Sequence, residues 1–103
     1  MKLLRFYLHD SDRHQSQPLW EWLLEQARAL NLPGGSAFRA MAGFGRHQRL
    51  HEERFLELAD LPVVVEFVLH DEEHEALLDH LERTEIKLLY SISSIFMGSL
   101  PRS

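Results

Sequence analysis

The chain has 103 residues, 45% hydrophobic and 26% charged, with 11 Lys and Arg against 16 Asp and Glu for a net charge of -5. That is enough for one domain with a modest core. The acidic balance argues against nucleic acid as the main partner, because phosphate binding needs a net cationic face, and leaves room for a local cationic pocket; the absence of cysteine excludes disulfides, zinc–thiolate sites and thiol catalysis.

The opening MKLLRFYLHDSD has too short an apolar run for a signal peptide. No stretch approaches the roughly 18 apolar residues that span a bilayer. One cytoplasmic domain over residues 1–103 is the expectation. KLLRFYLH (Lys2 to His9) mixes β-forming aromatics with polar residues and predicts a strand. DSDRHQSQ is a polar loop, and Pro18 suits the first helical position, where its missing N–H costs nothing. Leu19, Leu23, Ala27 and Leu30 then recur at helical spacing, with Trp20 and Leu24 alongside, until NLPGG ends the helix.

SAFRAMAGFG, bounded by Gly35 and Gly43, predicts a second strand, and LPVVVEFVLH (Leu61 to His70) a third, with Pro62 confined to its beginning. Asp71 fits an N-cap, and Glu72 and Glu73 fit the first turn, where the helix dipole favours acids. Leu77, Leu78 and Leu81 supply the buried face of a helix ending near Arg83. EIKLLYSISSIFM predicts a long last strand with Ile86, Leu88, Tyr90, Ile92 and Phe96 on one side. The order β-α-β-β-α-β predicts an α+β, ferredoxin-like sandwich: a four-stranded antiparallel sheet with both helices on one face. The other face is bare in a monomer. Leu89 and Ile95 point away from Leu88 and Ile92, so both sides of the last strand call for cover, and the expectation is an oligomer that packs sheets together.

The segment AGFGRHQRLHEERFLEL, Ala42 to Leu58, does not read as packing. Gly43 and Gly45 permit positive φ and close backbone approach. Phe44 between them can stack on a planar ligand or plug an oligomer core. Arg46, Arg49 and Arg54 can fork onto carboxylate or phosphate, or pair with Glu52, Glu53 and Glu57 on a solvated loop. His47 and His51 are four apart, as are His70 and His74, which on a helix would let each pair share a transition metal, although no third ligand completes either set. Glu66 lies inside the most apolar strand, where a buried carboxylate is costly unless paired. Its readings are a structural ion pair with Arg39 or a loop arginine, a ligand contact, or a polar side facing solvent. No nucleophile elbow, Ser–His–Asp set or phosphate-loop pattern is present, and His9 with Asp10 is a dyad only on paper, so the expectation is a protein that is not an enzyme.

GFGRHQRLH…RFLELADLPVVVEFV resembles the signature of the PII-like family of domain of unknown function 190. That family reads G-[FY]-G, a basic segment including a histidine, then D-L-P and an apolar strand with a central Glu. Here those positions are Gly43, Phe44, Gly45, Arg49, His51, Asp60, Leu61, Pro62 and Glu66. PLWEWLLEQARALNLPGGSAFRAMAGFG resembles the family's helix, glycine turn and second strand, so the likeness covers nearly the whole chain. The resemblance implies a ferredoxin-like fold and, by similarity to PII signal proteins, a homotrimer. It also implies a long loop, here about 43–60, that reaches effectors and moves with ligand. Small molecules, often adenine nucleotides, bind PII proteins in clefts between subunits beside that loop's base.

On this reading the small anionic ligand falls to Gly43, Phe44, Gly45, Arg46, Arg49, His51, Arg54 and Glu66. PII proteins hold phosphates with a glycine-rich loop between the second helix and the last strand; the corresponding LERTEIK contains no glycine. Genes of this family often lie beside one for a membrane protein assigned to fluoride export, which implies a membrane-transporter target. The alternative is a trimer resembling the CutA proteins tied to divalent-ion tolerance, turning on His47 and His51.

Overall fold

The computed structural model describes residues 1–44 and 60–102. Its elements are β1 (Lys2–His9), β2 (Arg13–His14), β3 (Gln17–Pro18), α1 (Leu19–Ala29), β4 (Ser36–Arg39), β5 (Pro62–Leu69), α2 (Asp71–Glu82) and β6 (Leu89–Ser94). β4-β5-β1-β6 form one antiparallel sheet, and β2 and β3 form a small separate hairpin. The α+β, ferredoxin-like sandwich expected from the order of elements is the fold.

β1 and β5 are the central pair, matched residue for residue from Lys2 opposite Leu69 to His9 opposite Pro62. Alternate residues of each strand point to one side. Leu4, Phe6 and Leu8 from β1 join Val63, Val65, Phe67 and Leu69 from β5 in the core. Leu19, Trp22, Leu23 and Ala27 of α1 and Leu77 and Leu81 of α2 complete it at helical spacing, so both helices cover this face. The Phe6 and Phe67 rings meet edge to face, with centroids 6.1 Å apart at 80°.

The ends of the elements depart from the sequence reading in informative ways. Pro18 is not the first helical residue: it caps α1 from outside, with φ -56 and ψ 133, while pairing with Arg13 in the hairpin. The polar DSDRHQSQ loop therefore contains a tight hairpin, whose turn places Gln15 and Ser16 at positive φ. That is the backbone that right-twisted strands favour in a two-residue connection. Asn31, rather than a glycine, takes the left-handed turn after α1. Leu32 N–H reaches Ala27 C=O and Asn31 N–H reaches Arg28 C=O, the paired bonds of a Schellman end. At α2 the N-cap is His70, not Asp71, and its N–H is accepted by Glu73 Oε1 at 2.8 Å.

Two strands are shorter than read. Pairing of β4 stops at Arg39, and Ala40 N–H makes a last bond to Pro62 C=O. Pro62 has no N–H to return, so the ladder ends there. In the last segment only Leu89–Ser94 pair. Ile86 and Leu88 pack against the core before the strand begins, and Phe96 lies beyond its end, exposed.

Gly35 is placed where a side chain has no room. A Cβ there would come within 2.6 Å of Cδ1 of the buried Phe67 ring and 3.1 Å of Leu24, whereas one at Gly34 would meet nothing within 4 Å. Gly35→Ala is accordingly expected to cost about 1–3 kcal/mol as an overpacking substitution. Gly34→Ala should stay within about 0.5 kcal/mol. Urea unfolding of the two variants side by side checks the contrast.

Candidate functional site

β4 and β5 are neighbours, so the chain must leave the sheet after Arg39 and re-enter at Pro62 from the same end. The segment 43–60 hangs from that point, and its stem is built by the β1–α1 turn. Asp10 N–H donates to Leu61 C=O at 2.8 Å, tying the turn to the returning arm. Ser11 Oγ donates to Asp60 Oδ1 at 3.0 Å on the same arm. Asp10 Oδ1 receives Arg39 Nη2 at 2.7 Å, tying the turn to the departing arm. The turn is itself fixed: Asp12 Oδ2 accepts His9 N–H at 2.9 Å, and Asp12 C=O accepts Leu19 N–H at the start of α1.

Both arms of the stem are thus clasped by Asp10 and Ser11. Arg39 is the cation at its base. Half of its side chain faces solvent while one nitrogen stays on Asp10. Sequence reasoning considered Arg39 only as a partner for Glu66. Only the sheet register reveals its stem position, because nothing in the spacing links Arg39 to Asp10, 29 residues earlier.

Glu66 has a different partner from the one expected. Arg39 stands opposite Val63, on the helix-facing side, whereas Glu66 stands between Ser36 and Arg5 on the other face. Arg5 Nε donates to Glu66 Oε2 at 2.7 Å, and this bond holds the Arg5 guanidinium above its ordinary pKa. The pair lies on the face of the sheet that no helix among the described residues covers. There, Ser36, Glu66, Arg5 and Ser91 make one row, and Phe38, Val64, Tyr7 and Leu89 make the next. Tyr7 Oη and Ser91 Oγ share a hydrogen bond of 2.8 Å between the two rows. Alternation in KLLRFYLH was the available signal for Arg5 and Tyr7.

The other candidates divide. Gly43 does not have positive φ, and a Cβ on it would meet Pro62 Cγ at an ordinary 3.6 Å, so neither reason for a glycine applies here. Phe44 is exposed. Gly45, Arg46, Arg49, His51 and Arg54, with His47, lie outside the described residues. His70 and His74 differ in burial: His70 is an exposed N-cap, while His74 is buried among the described residues. Among the described residues no cluster of three or more His, Asp or Glu is placed to hold a metal.

A family profile described as uncharacterised, DUF190, matches residues 1–95. The chain belongs to the DUF190 family. A UPF0166 protein of Aquifex aeolicus (strain VF5) is similar to it, 32% identical over 82 residues, which is 79% of this chain and 78% of that protein. The crystal structure of a candidate PII-like signalling protein from Thermus thermophilus superposes with a TM-score of 0.58 at 16% identity, covering 89% of this chain and 83% of that one. At that identity the likeness is one of fold. No helix among the described residues is long and apolar enough to cross a membrane.

In this DUF190 chain the stem clasp can be opened without touching the core. Asp10→Asn is expected to weaken the hold on Arg39 by removing the charge and to lower stability by about 1 kcal/mol, because the Arg39 side chain is half exposed. Amide exchange should rise at Ala40 and leave the β1–β5 ladder unchanged. Equal acceleration throughout the sheet would show that the clasp is not local.

Proposed function

We propose that the protein is a PII-like regulatory protein rather than an enzyme. On this reading it is a cytoplasmic homotrimer that binds a small anionic ligand, a nucleotide or a metabolite, in clefts between subunits. The binding set is Gly43, Phe44, Gly45, Arg46, Arg49, His51 and Arg54, with Arg39 added at the stem. Ligand binding orders the segment 43–60, which then docks on a protein target, a membrane transporter being the implied one. Glu66 leaves the set, because its carboxylate is held by Arg5 on the sheet face.

The observation that carries the reading is the Asp10–Arg39 clasp at 2.7 Å beneath an arginine-rich segment. An anion entering beside the stem competes with Asp10 for the guanidinium fork, whose geometry suits phosphate and carboxylate equally. Occupancy is thereby coupled to how firmly the two arms are held, which is the requirement for a switch made from an order–disorder step. The Thermus protein's description as PII-like signalling agrees with this role. An adenine nucleotide is the first ligand to try.

Thermal unfolding against ATP, ADP, AMP, cyclic nucleotides, 2-oxoglutarate, bicarbonate and divalent metals tests the proposal. A ligand at 100 times its Kd stabilises the folded state by about 2.7 kcal/mol, which raises Tm by roughly 10 °C or more for a domain of this size. An anionic hit that disappears in Arg49→Ala and weakens in Arg39→Ala is the expected result. Stabilisation by metals alone, lost in His47→Ala or His51→Ala, would replace the anion sensor with the divalent-metal trimer.

A further inference from the structure

The base of the stem holds more acid than base. Asp10, Asp12 and Asp60 bring carboxylates to it, against the guanidiniums of Arg13 and Arg39. Two of these acids are bonded to uncharged donors: Asp12 Oδ2 accepts the His9 N–H and Asp60 Oδ1 accepts the Ser11 hydroxyl. Arg13 Nη1 is turned onto backbone, to the carbonyls of Asp10 at 3.3 Å and Asp12 at 3.4 Å. At the stem, among the described residues, opposite charges meet only where Arg39 Nη2 rests on Asp10 Oδ1 at 2.7 Å.

The two partners are unequally exposed: solvent reaches 51% of the Arg39 side chain and 20% of that of Asp10. The open edge of the guanidinium can take an anion from solution. Asp10 has little water to turn to if its cation is drawn away, and a largely buried carboxylate left without a partner is costly. An arriving anion therefore shares the fork with Asp10 rather than displacing it. Two negative groups are then held on one guanidinium, and their repulsion grows with the charge that the ligand carries. Asp12 and Asp60 act in the same sense, because the bonds they make leave their charge in place.

We propose that Asp10 is a charge filter at the stem, lowering the affinity of Arg39 for a doubly charged anion more than for a singly charged one. The inference rests on the anion reading above and narrows it. The group that reaches Arg39 is a singly charged anion with two oxygens, a carboxylate or a phosphodiester, rather than a terminal phosphate. The planar fork matches the oxygen pair of either. Discrimination then comes from a repulsive neighbour, which works against the more highly charged competitor without adding a contact to the favoured ligand.

Binding of acetate, dimethyl phosphate and sulfate at constant ionic strength is followed through the Arg39 Nε–H resonance, identified with Arg39→Lys. Acetate and dimethyl phosphate carry one charge and separate a carboxylate source from a phosphodiester one, while sulfate carries two. Asp10→Asn is expected to gain about tenfold for sulfate and about threefold for the monoanions, because the logarithm of the gain follows ligand charge. Asp71→Asn removes the same charge in the first turn of α2, beyond the far end of β5, and should change each affinity less than about twofold. Equal gains for sulfate and the monoanions, or no gain, overturn the proposal and leave the anion reading standing. So does a matching gain in Ser11→Ala, which loosens the stem without removing charge, since the effect is then mechanical. Failure of Arg39 to respond to any of the three anions or to ATP, in either chain, overturns both. Asp10→Ser is measured beside Asp10→Asn, so that a disturbed turn in one variant does not decide the result.

Discussion

The register between β1 and β5 is the constraint from which the rest of this structure follows. The two strands match over their full length, Lys2 to His9 against Leu69 to Pro62. Side chains alternate across a sheet, so a slip of one residue would exchange the faces of the moving strand. In register, Leu4, Phe6 and Leu8 meet Val63, Val65 and Phe67 beneath the helices. Out of register, Glu66 or Arg5 would be forced into that apolar layer without its partner. The ion pair on the outer face and the core on the inner face are two consequences of one alignment.

That alignment also builds the stem. With Pro62 opposite His9, the β1–α1 turn is brought level with the point where the chain leaves β4 and returns to β5. Proline ends the β4 ladder at this level, and Asp10, Ser11 and Asp12 satisfy the backbone and side-chain groups left there. The clasp pairs a half-exposed Arg39 with a largely buried Asp10.

The outer face and the edges pose a different problem. A short chain has limited means of covering a four-stranded sheet, and here both helices lie on one side. The side that no described helix covers bears a neutralised Arg5–Glu66 pair flanked by an apolar row. Such a surface is soluble enough to exist exposed and apolar enough to gain from cover. Replacing its ion pair with an apolar pair would make the single chain more prone to non-specific association. The pair therefore keeps this face from being apolar throughout.

The four strands of the main sheet and both helices of the DUF190 fold were legible in the sequence, because period-2 alternation in KLLRFYLH and helical spacing from Leu19 to Leu30 are local properties, whereas the β2–β3 hairpin was read as a polar loop. The order of elements then left one economical sandwich. Caps and strand ends were less legible: Asn31 and His70 took positions expected of a glycine and of Asp71, since several residue types satisfy the same backbone groups. What joins Arg39 to Asp10, and Glu66 to Arg5, was decided only by the tertiary structure. Each pair is brought together by strand pairing between distant segments, and a charge carries no mark in the sequence of which opposite charge it will meet. Sequence determined which way each residue faces; the sheet determined what it faces.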